Sequence, residues 1–197
     1  LDDSAPRHDG EAIDHPGPCL LQYTSGSTAA PKGVMIGHSN FRAHFASLEC
    51  FTQLRLKSAL SWLPPYHDMG LVLKILYACE AGIPLTLFSP DHFIQRPARW
   101  LRAISRHRAE LSGAPNFAFE ACIRSIRDEE LEGVDLSCWK AAPCGAERIR
   151  RETLDRFSKR FSRFGFRPET FLPGYGLAET TLIVTACRAD REPRISN

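Results

Sequence analysis

The sequence predicts a layered α/β fold built on a mostly parallel β-sheet with flanking helices. Three observations lead there. Short apolar runs (Leu20–Tyr23, Ala59–Leu63, Ile83–Phe88, Trp139–Ala142 and Thr170–Pro173) alternate with longer stretches of helical spacing. A polar or glycine-bearing loop follows a strand repeatedly, and no internal repeat or low-complexity tract competes with that alternation. At 197 residues, 43% hydrophobic and 24% charged, the chain can bury one substantial core. A formal net charge of +2 gives no charge-based reason to expect nucleic acid, and no apolar run is long enough to span a membrane. Seven cysteines, an odd number with no C-x-x-C pair, read as free thiols in a reducing cytoplasm.

Residues 1–18, rich in Asp, Pro, Gly and His, read as a linker or surface segment, with His8 and His15 facing solvent. Leu20–Tyr23 is a short strand feeding Tyr23–Val34, Y-T-S-G-S-T-A-A-P-K-G-V. Hydroxyls (Thr24, Ser25, Ser27, Thr28), Gly26 and Lys32 suit a loop that holds phosphates through backbone N–H groups and one full positive charge. The Walker pattern fails, because Lys32 follows Pro31 and precedes Gly33. A solvated Ser/Thr/Gly connector would use the same letters. Val34–Gly37 is the returning strand, and Ser39 or Asn40 caps a helix carrying Phe41, Phe45, Leu48 and Phe51 on one face.

Ala59–Leu63 is a buried strand, broken by Pro64 and Pro65, that delivers Tyr66, His67 and Asp68 to a sheet edge, where ligands sit in open α/β sheets. His67 alone would read as a structural histidine; a phosphate loop on a neighbouring strand shifts it toward function. Leu71–Ala81 is apolar almost all round and forms a buried helix stopped by Gly82. A helix starting near Pro97 shows Trp100, Leu101, Ile104 and Arg108 on one stripe. Ser112–Asn116 is either ligand space or a plain turn, and Asn116 caps a helix with Phe119, Cys122, Ile123 and Ile126 inward. After Trp139–Ala142 and the loop Pro143–Glu147, a helix buries Ile149, Leu154, Phe157, Phe161 and Phe164 and stops at Gly165. Its other face (Arg148, Arg150, Arg151, Arg156, Lys159, Arg160, Arg163) reads as solvated, or as a surface for an acidic partner. Thr170–Pro173 opens onto Gly174–Thr180, and Leu182–Ala186 is one more strand.

Y-T-S-G-S-T-A-A-P-K-G-V, W-L-P-P-Y-H-D-M-G-L-V, G-A-P-N-F-A-F-E, G-A-E and Y-G-L-A-E-T occur in the order found in the adenylate-forming enzymes, and their wording most resembles the fatty acyl-AMP ligases. The resemblance covers Leu20 to about Cys187. It implies ATP-dependent activation of a fatty acid to an acyl-adenylate with release of pyrophosphate. Transfer would follow to an acyl carrier protein or polyketide synthase, or to coenzyme A if the chain is instead part of a fatty acyl-CoA synthetase. A non-catalytic remnant that binds nucleotide or a partner is the third reading.

By resemblance, Thr24, Ser25, Gly26, Ser27, Thr28 and Lys32 hold the ATP phosphates. Gly145, Ala146 and Glu147 form the adenine-side loop, with Tyr175 against the base and Gly176 beside it. Glu179 is the ligand of Mg²⁺. His67 lies near the reacting carboxylate with Asp68 and Met69, and Gly113–Phe119, Asn116 included, lines the acyl pocket. Of these, His67, Lys32 and Glu179 are the expected catalytic groups. Ala29 stands where the family has glycine; a left-handed backbone there would cost on the order of 1 kcal/mol. The family's ribose-binding aspartate motif and C-terminal lid domain have no counterpart in the sequence. Residues 19–197 are therefore expected to be a partial AMP-binding domain, inactive alone.

Overall fold

A computed structural model describes residues 17–24 and 31–188. The expected linker before residue 17 lies outside the described residues, as do Ser25, Gly26, Ser27, Thr28 and Ala29 of the phosphate loop and the side chain of Phe51.

Strands β1 (Leu20–Thr24) and β2 (Lys32–Ile36) form an antiparallel hairpin that sets Thr24 opposite Lys32. Helix α1 (His38–Thr52) begins earlier than the sequence suggested. Gly37 is its N-cap, and the Asn40 side chain reaches back to accept the Gly37 N–H at 2.8 Å. Asn40 thus serves from inside the first turn instead of from the cap position.

Four parallel segments follow. β3 (Ala59–Ser61) pairs with β4 (Leu85–Leu87), and β5 (Ala142–Cys144) pairs with β6 (Phe171–Gly176). Leu111 joins the two pairs by single parallel bridges to Ala59 and Ala141. β7 (Ile183–Ala186) closes the order antiparallel to β6. The expected mostly parallel sheet is thus present, narrowed at Leu111 because Gly113 and Pro115 leave little strand there. Pro143 sits inside β5 without a ladder N–H, and its neighbour accommodates it: a Cβ on Gly113 would stand 2.3 Å from the Pro143 carbonyl oxygen.

Between β3 and β4 runs helix α2, residues 68–80, made of an α-turn Asp68–Gly70, a π-helical stretch Leu71–Leu76 and an α-helical end Tyr77–Glu80. Its burial extends to Lys74, which is fully enclosed and has no hydrogen-bond partner among the described residues. Burial alone pushes that amine down from 10.5 to about 7. Helix α3 (Pro90–Gln95) has no counterpart in the sequence reading, although Ser89-Pro90-Asp91 spells its start: Ser89 accepts the Asp91 N–H, and Pro90 takes the first turn.

Helices α4 (Ala98–His107), α5 (Asn116–Ser125) and α6 (Arg151–Phe161) enclose an aromatic core against the sheet. Trp100 and Trp139 meet at 5.3 Å between centroids, Phe119 and Phe157 at 5.1 Å, Phe119 and Phe171 at 5.0 Å. Both indole N–H groups are satisfied at one residue: Trp100 donates to Ser112 Oγ at 2.8 Å and Trp139 to the Ser112 carbonyl at 2.9 Å. The basic face of α6 is largely paired within the chain. Arg156 holds Glu120 at 3.0 Å, while Arg160 and Arg163 both engage Asp128. These pairs fasten α6 to α5 and to the turn after it, a third use beside the two expected for that face.

Candidate active site

The site begins with a steric constraint. Gly70 must lie so close to Pro64 that a Cβ would come 2.2 Å from its carbonyl oxygen, so α2 starts folded back over the Pro64–Pro65 turn. His67 is the N-cap of that helix, in extended conformation. Its Nδ1 lies 2.8 Å from Asp68 Oδ1, and the Met69 N–H points at both, 3.2 Å from Nδ1 and 2.6 Å from Oδ1. When His67 is protonated, Nδ1–H donates to Asp68; when neutral, a bare Nδ1 can accept from Met69. Either way Nε2 is the ring nitrogen left for a ligand.

The hydrogen bond with Asp68 raises the His67 pKa above its ordinary value, against burial, and the Asp68 charge adds to the rise. For Asp68, burial pushes the carboxyl up, but the hydrogen bond and charge of His67, the Met69 N–H and the Gln22 side chain together hold it below the usual carboxylate range. Gln22 belongs to β1, so the hairpin is tied to the start of α2.

Two cavities meet at this pair. The first, about 220 Å³, runs from Gly145, Ala146, Tyr175 and Gly176 past Met69, Leu73 and Tyr77 to Leu48, Thr52 and Leu56 at the end of α1. The second, a cleft of about 690 Å³, is bounded by β1 through Thr24, by Tyr66 and Leu71, and by Glu179 on the turn after β6. Among the described residues only His67 and Asp68 line both. Both lie beyond the carboxyl ends of β3, β5 and β6, where such sheets take ligands.

Most of the expected residues fall around these spaces, and several do not. Thr24 and Glu179 face the cleft; Met69, Gly145, Ala146, Tyr175 and Gly176 line the first cavity; His67 and Asp68 join them. Tyr175 is 63% exposed, an open aromatic face. Lys32 is exposed at the foot of the hairpin and lines neither space. Gly113 and Asn116, expected in an acyl pocket, line neither. Gly113 is pressed on Pro143, and Asn116, which does not cap α5, accepts the Arg150 N–H at 2.9 Å. Glu147 turns its carboxylate to the Phe117 N–H at 2.6 Å. Ser25, Gly26, Ser27 and Thr28 lie outside the described residues.

Sequence reasoning missed the contribution of Leu48 and Thr52 on α1 and of Leu56 just beyond it, since residues on the inner side of a helix end are indistinguishable from core. Gln22 was missed too; its signal was position, on the strand before the polar loop.

Among the described residues no group of three or more His, Cys, Asp or Glu is assembled to hold a metal by itself. Glu179, which shares the cleft with Asp68, has a carboxylate that could hold an Mg²⁺ shared with phosphate oxygens, since such an ion needs only one or two protein carboxylates.

A parallel α/β sheet with paired cavities beyond its strand ends defines a ligand-binding α/β domain. The chain belongs to the AMP-binding enzyme family, which matches residues 2–197. It is 43% identical over 176 residues to the medium-chain-fatty-acid–[acyl-carrier-protein] ligase JamA of Moorena producens, covering 89% of this chain and 30% of that one. Identity to the long-chain-fatty-acid–AMP ligase FadD23 of Mycobacterium tuberculosis is 45% over 183 residues, covering 89% and 31%. The solved fatty acyl-adenylate ligase from L. pneumophila, in complex with acyl adenylate and pyrophosphate, superposes with a TM-score of 0.79 at 47% identity, covering 84% and 30%. The chain spans about a third of the length of the relatives it matches.

Proposed function

We propose that the complete protein activates a fatty acid with ATP, forming an acyl-adenylate and releasing pyrophosphate, and passes the acyl group to an acyl carrier protein. The observation that supports this reading is the sharing of His67 and Asp68 between an apolar-walled cavity and a more polar cleft. A fatty acid is an apolar chain ending in a carboxylate, and the reaction joins that carboxylate to the α-phosphorus of a polyanion. The chain would lie along Leu73, Tyr77 and the end of α1, and the carboxylate would reach the His67 ring. Tyr175, Gly145, Ala146 and Gly176 would take the adenine. Thr24, Lys32 and the loop between them, Ser25, Gly26, Ser27 and Thr28, would take the phosphates.

Bringing two anions together is the electrostatic problem of this chemistry. A protonated His67 and the Lys32 ammonium would offset the charge, and placing both reactants on one junction supplies the orientation. Mg²⁺ held by Glu179 would neutralise phosphate charge as pyrophosphate departs. All seven cysteines are free, which suits a reducing, cytoplasmic setting.

Mass spectrometry of the full-length protein given ATP, Mg²⁺ and saturated fatty acids tests the reading. Acyl-adenylate that accumulates and is discharged by holo acyl carrier protein is the expected result. Discharge by coenzyme A instead would make the protein an acyl-CoA synthetase. Absence of any adenylate would remove the enzymatic reading.

A further inference from the structure

We propose that Asn116 and Glu147 are positioning residues that hold the adenine-side wall of the first cavity in its working shape; the inference rests on the nucleotide-binding reading above. The loop from Gly145 to Arg150, between β5 and α6, has no regular secondary structure, yet Gly145 and Ala146 form part of the cavity wall. Ala146 holds φ at 64°, a left-handed conformation that its Cβ disfavours. Such a conformation persists only where the surroundings over-determine it.

The surroundings here are two reciprocal hydrogen bonds to the start of α5. Glu147 Oε1 accepts the Phe117 N–H at 2.6 Å, one of the backbone donors that a helix start leaves without an internal partner. In the opposite direction, Asn116 Oδ1 accepts the Arg150 N–H at 2.9 Å, at the entry to α6. Asn116 is 6% exposed, so this bond is shielded from competing water. The partners are 30 and 34 residues apart, so neither bond arises from local chain geometry. Together they pin the loop immediately after Ala146 and again three residues on.

The direction of Glu147 matters as much as its bond. A carboxylate turned into the cavity would repel a polyphosphate nucleotide. Seated on the amino end of α5, the charge meets the positive end of that helix instead. Neither Asn116 nor Glu147 lines a cavity, so their effect on nucleotide must pass through Gly145 and Ala146.

The test is ATP saturation of fatty-acid-dependent ATP–pyrophosphate exchange by the full-length protein and its variants. Glu147→Ala and Asn116→Ala are each expected to raise KM for ATP about tenfold or more, the worth of one shielded or charge-assisted hydrogen bond, with kcat changed far less. Glu147→Gln and Asn116→Asp keep an acceptor oxygen and should recover most of the wild-type KM. Where an alanine variant does not fold, Glu147→Asp, one methylene short of the Phe117 N–H, gives the same reading through a raised KM. A lowered melting temperature with KM for ATP unmoved would overturn the proposal, because the bonds would then serve stability alone. Glu147→Gln as damaging as Glu147→Ala would overturn it too. If the wild-type protein shows no exchange, the functional reading fails instead; calorimetric titration of ATP into the same variants then tests the clamp, and unchanged affinity would refute it.

Discussion

His67 Nδ1 stands 2.8 Å from Asp68 Oδ1, and among the described residues these two alone line both the apolar cavity and the more polar cleft. The pair therefore lies where a chain's carboxylate and a nucleotide's phosphate would meet. Removing the carboxylate tests its hold on the ring. In Asp68→Asn the charge that helps to raise the His67 pKa is gone and the acceptor becomes a neutral amide oxygen, while the burial that lowers the pKa remains. The His67 ring titration followed by NMR should move down from its wild-type position. An unmoved titration would show that Asp68 does not tune the ring.

The same pair sets a pH window for stability. His67 is raised when folded, so its contribution is complete below about pH 6.5 and is lost as pH rises through its folded pKa. Asp68 is lowered, so its contribution is complete above about pH 4 and is lost as pH falls through its folded pKa. Wild type minus Asp68→Asn in urea unfolding should therefore be largest between these limits and shrink on both sides. A difference independent of pH would contradict the coupling.

Lys74 gives the opposite sign. Unfolded, the amine stays protonated to about pH 10, whereas burial brings its folded pKa to about 7. Its penalty is full below pH 7 and fades as pH rises toward 10.5. Lys74→Met, which keeps the volume and removes the charge, should stabilise the protein at pH 7 by about 1–4 kcal/mol. The gain should diminish when urea unfolding is repeated at pH 9. Equal stabilisation at both values would show that the gain comes from apolar packing and not from removing a titrating buried amine.

Backbone contact at Gly113 yields a stability prediction free of titration. A Cβ would meet the Pro143 carbonyl at 2.3 Å, and neither the buried strand nor proline's ring can move away easily. Gly113→Ala should cost about 2 kcal/mol or more, read as a lowered melting temperature. A neutral substitution would mean that β5 gives way.

Much of this was legible in the chain. Alternating apolar runs and polar strand-end loops gave the parallel sheet, and His67 and Asp68 stood out as polar groups after a strand, whereas Tyr175 and Glu179 entered only through the family resemblance. Asn116 and Glu147 did not, because capping a neighbouring element looks in sequence like capping one's own helix or facing a ligand. Gly113 looked like room for a ligand but is room for Pro143. Leu48 on α1 and Leu56 just beyond it look the same in sequence whether they face core or cavity. Lys74 sat in a run read only for its apolar neighbours.

On the function proposed above, this chain carries the junction where nucleotide and acyl chain meet in an adenylate-forming site. Fatty-acid-dependent ATP–pyrophosphate exchange by the full-length protein measures it most directly. The account predicts robust exchange in the wild type and its loss, by about a hundredfold or more, in both Lys32→Ala and Glu179→Ala. Exchange that survives both substitutions would contradict it.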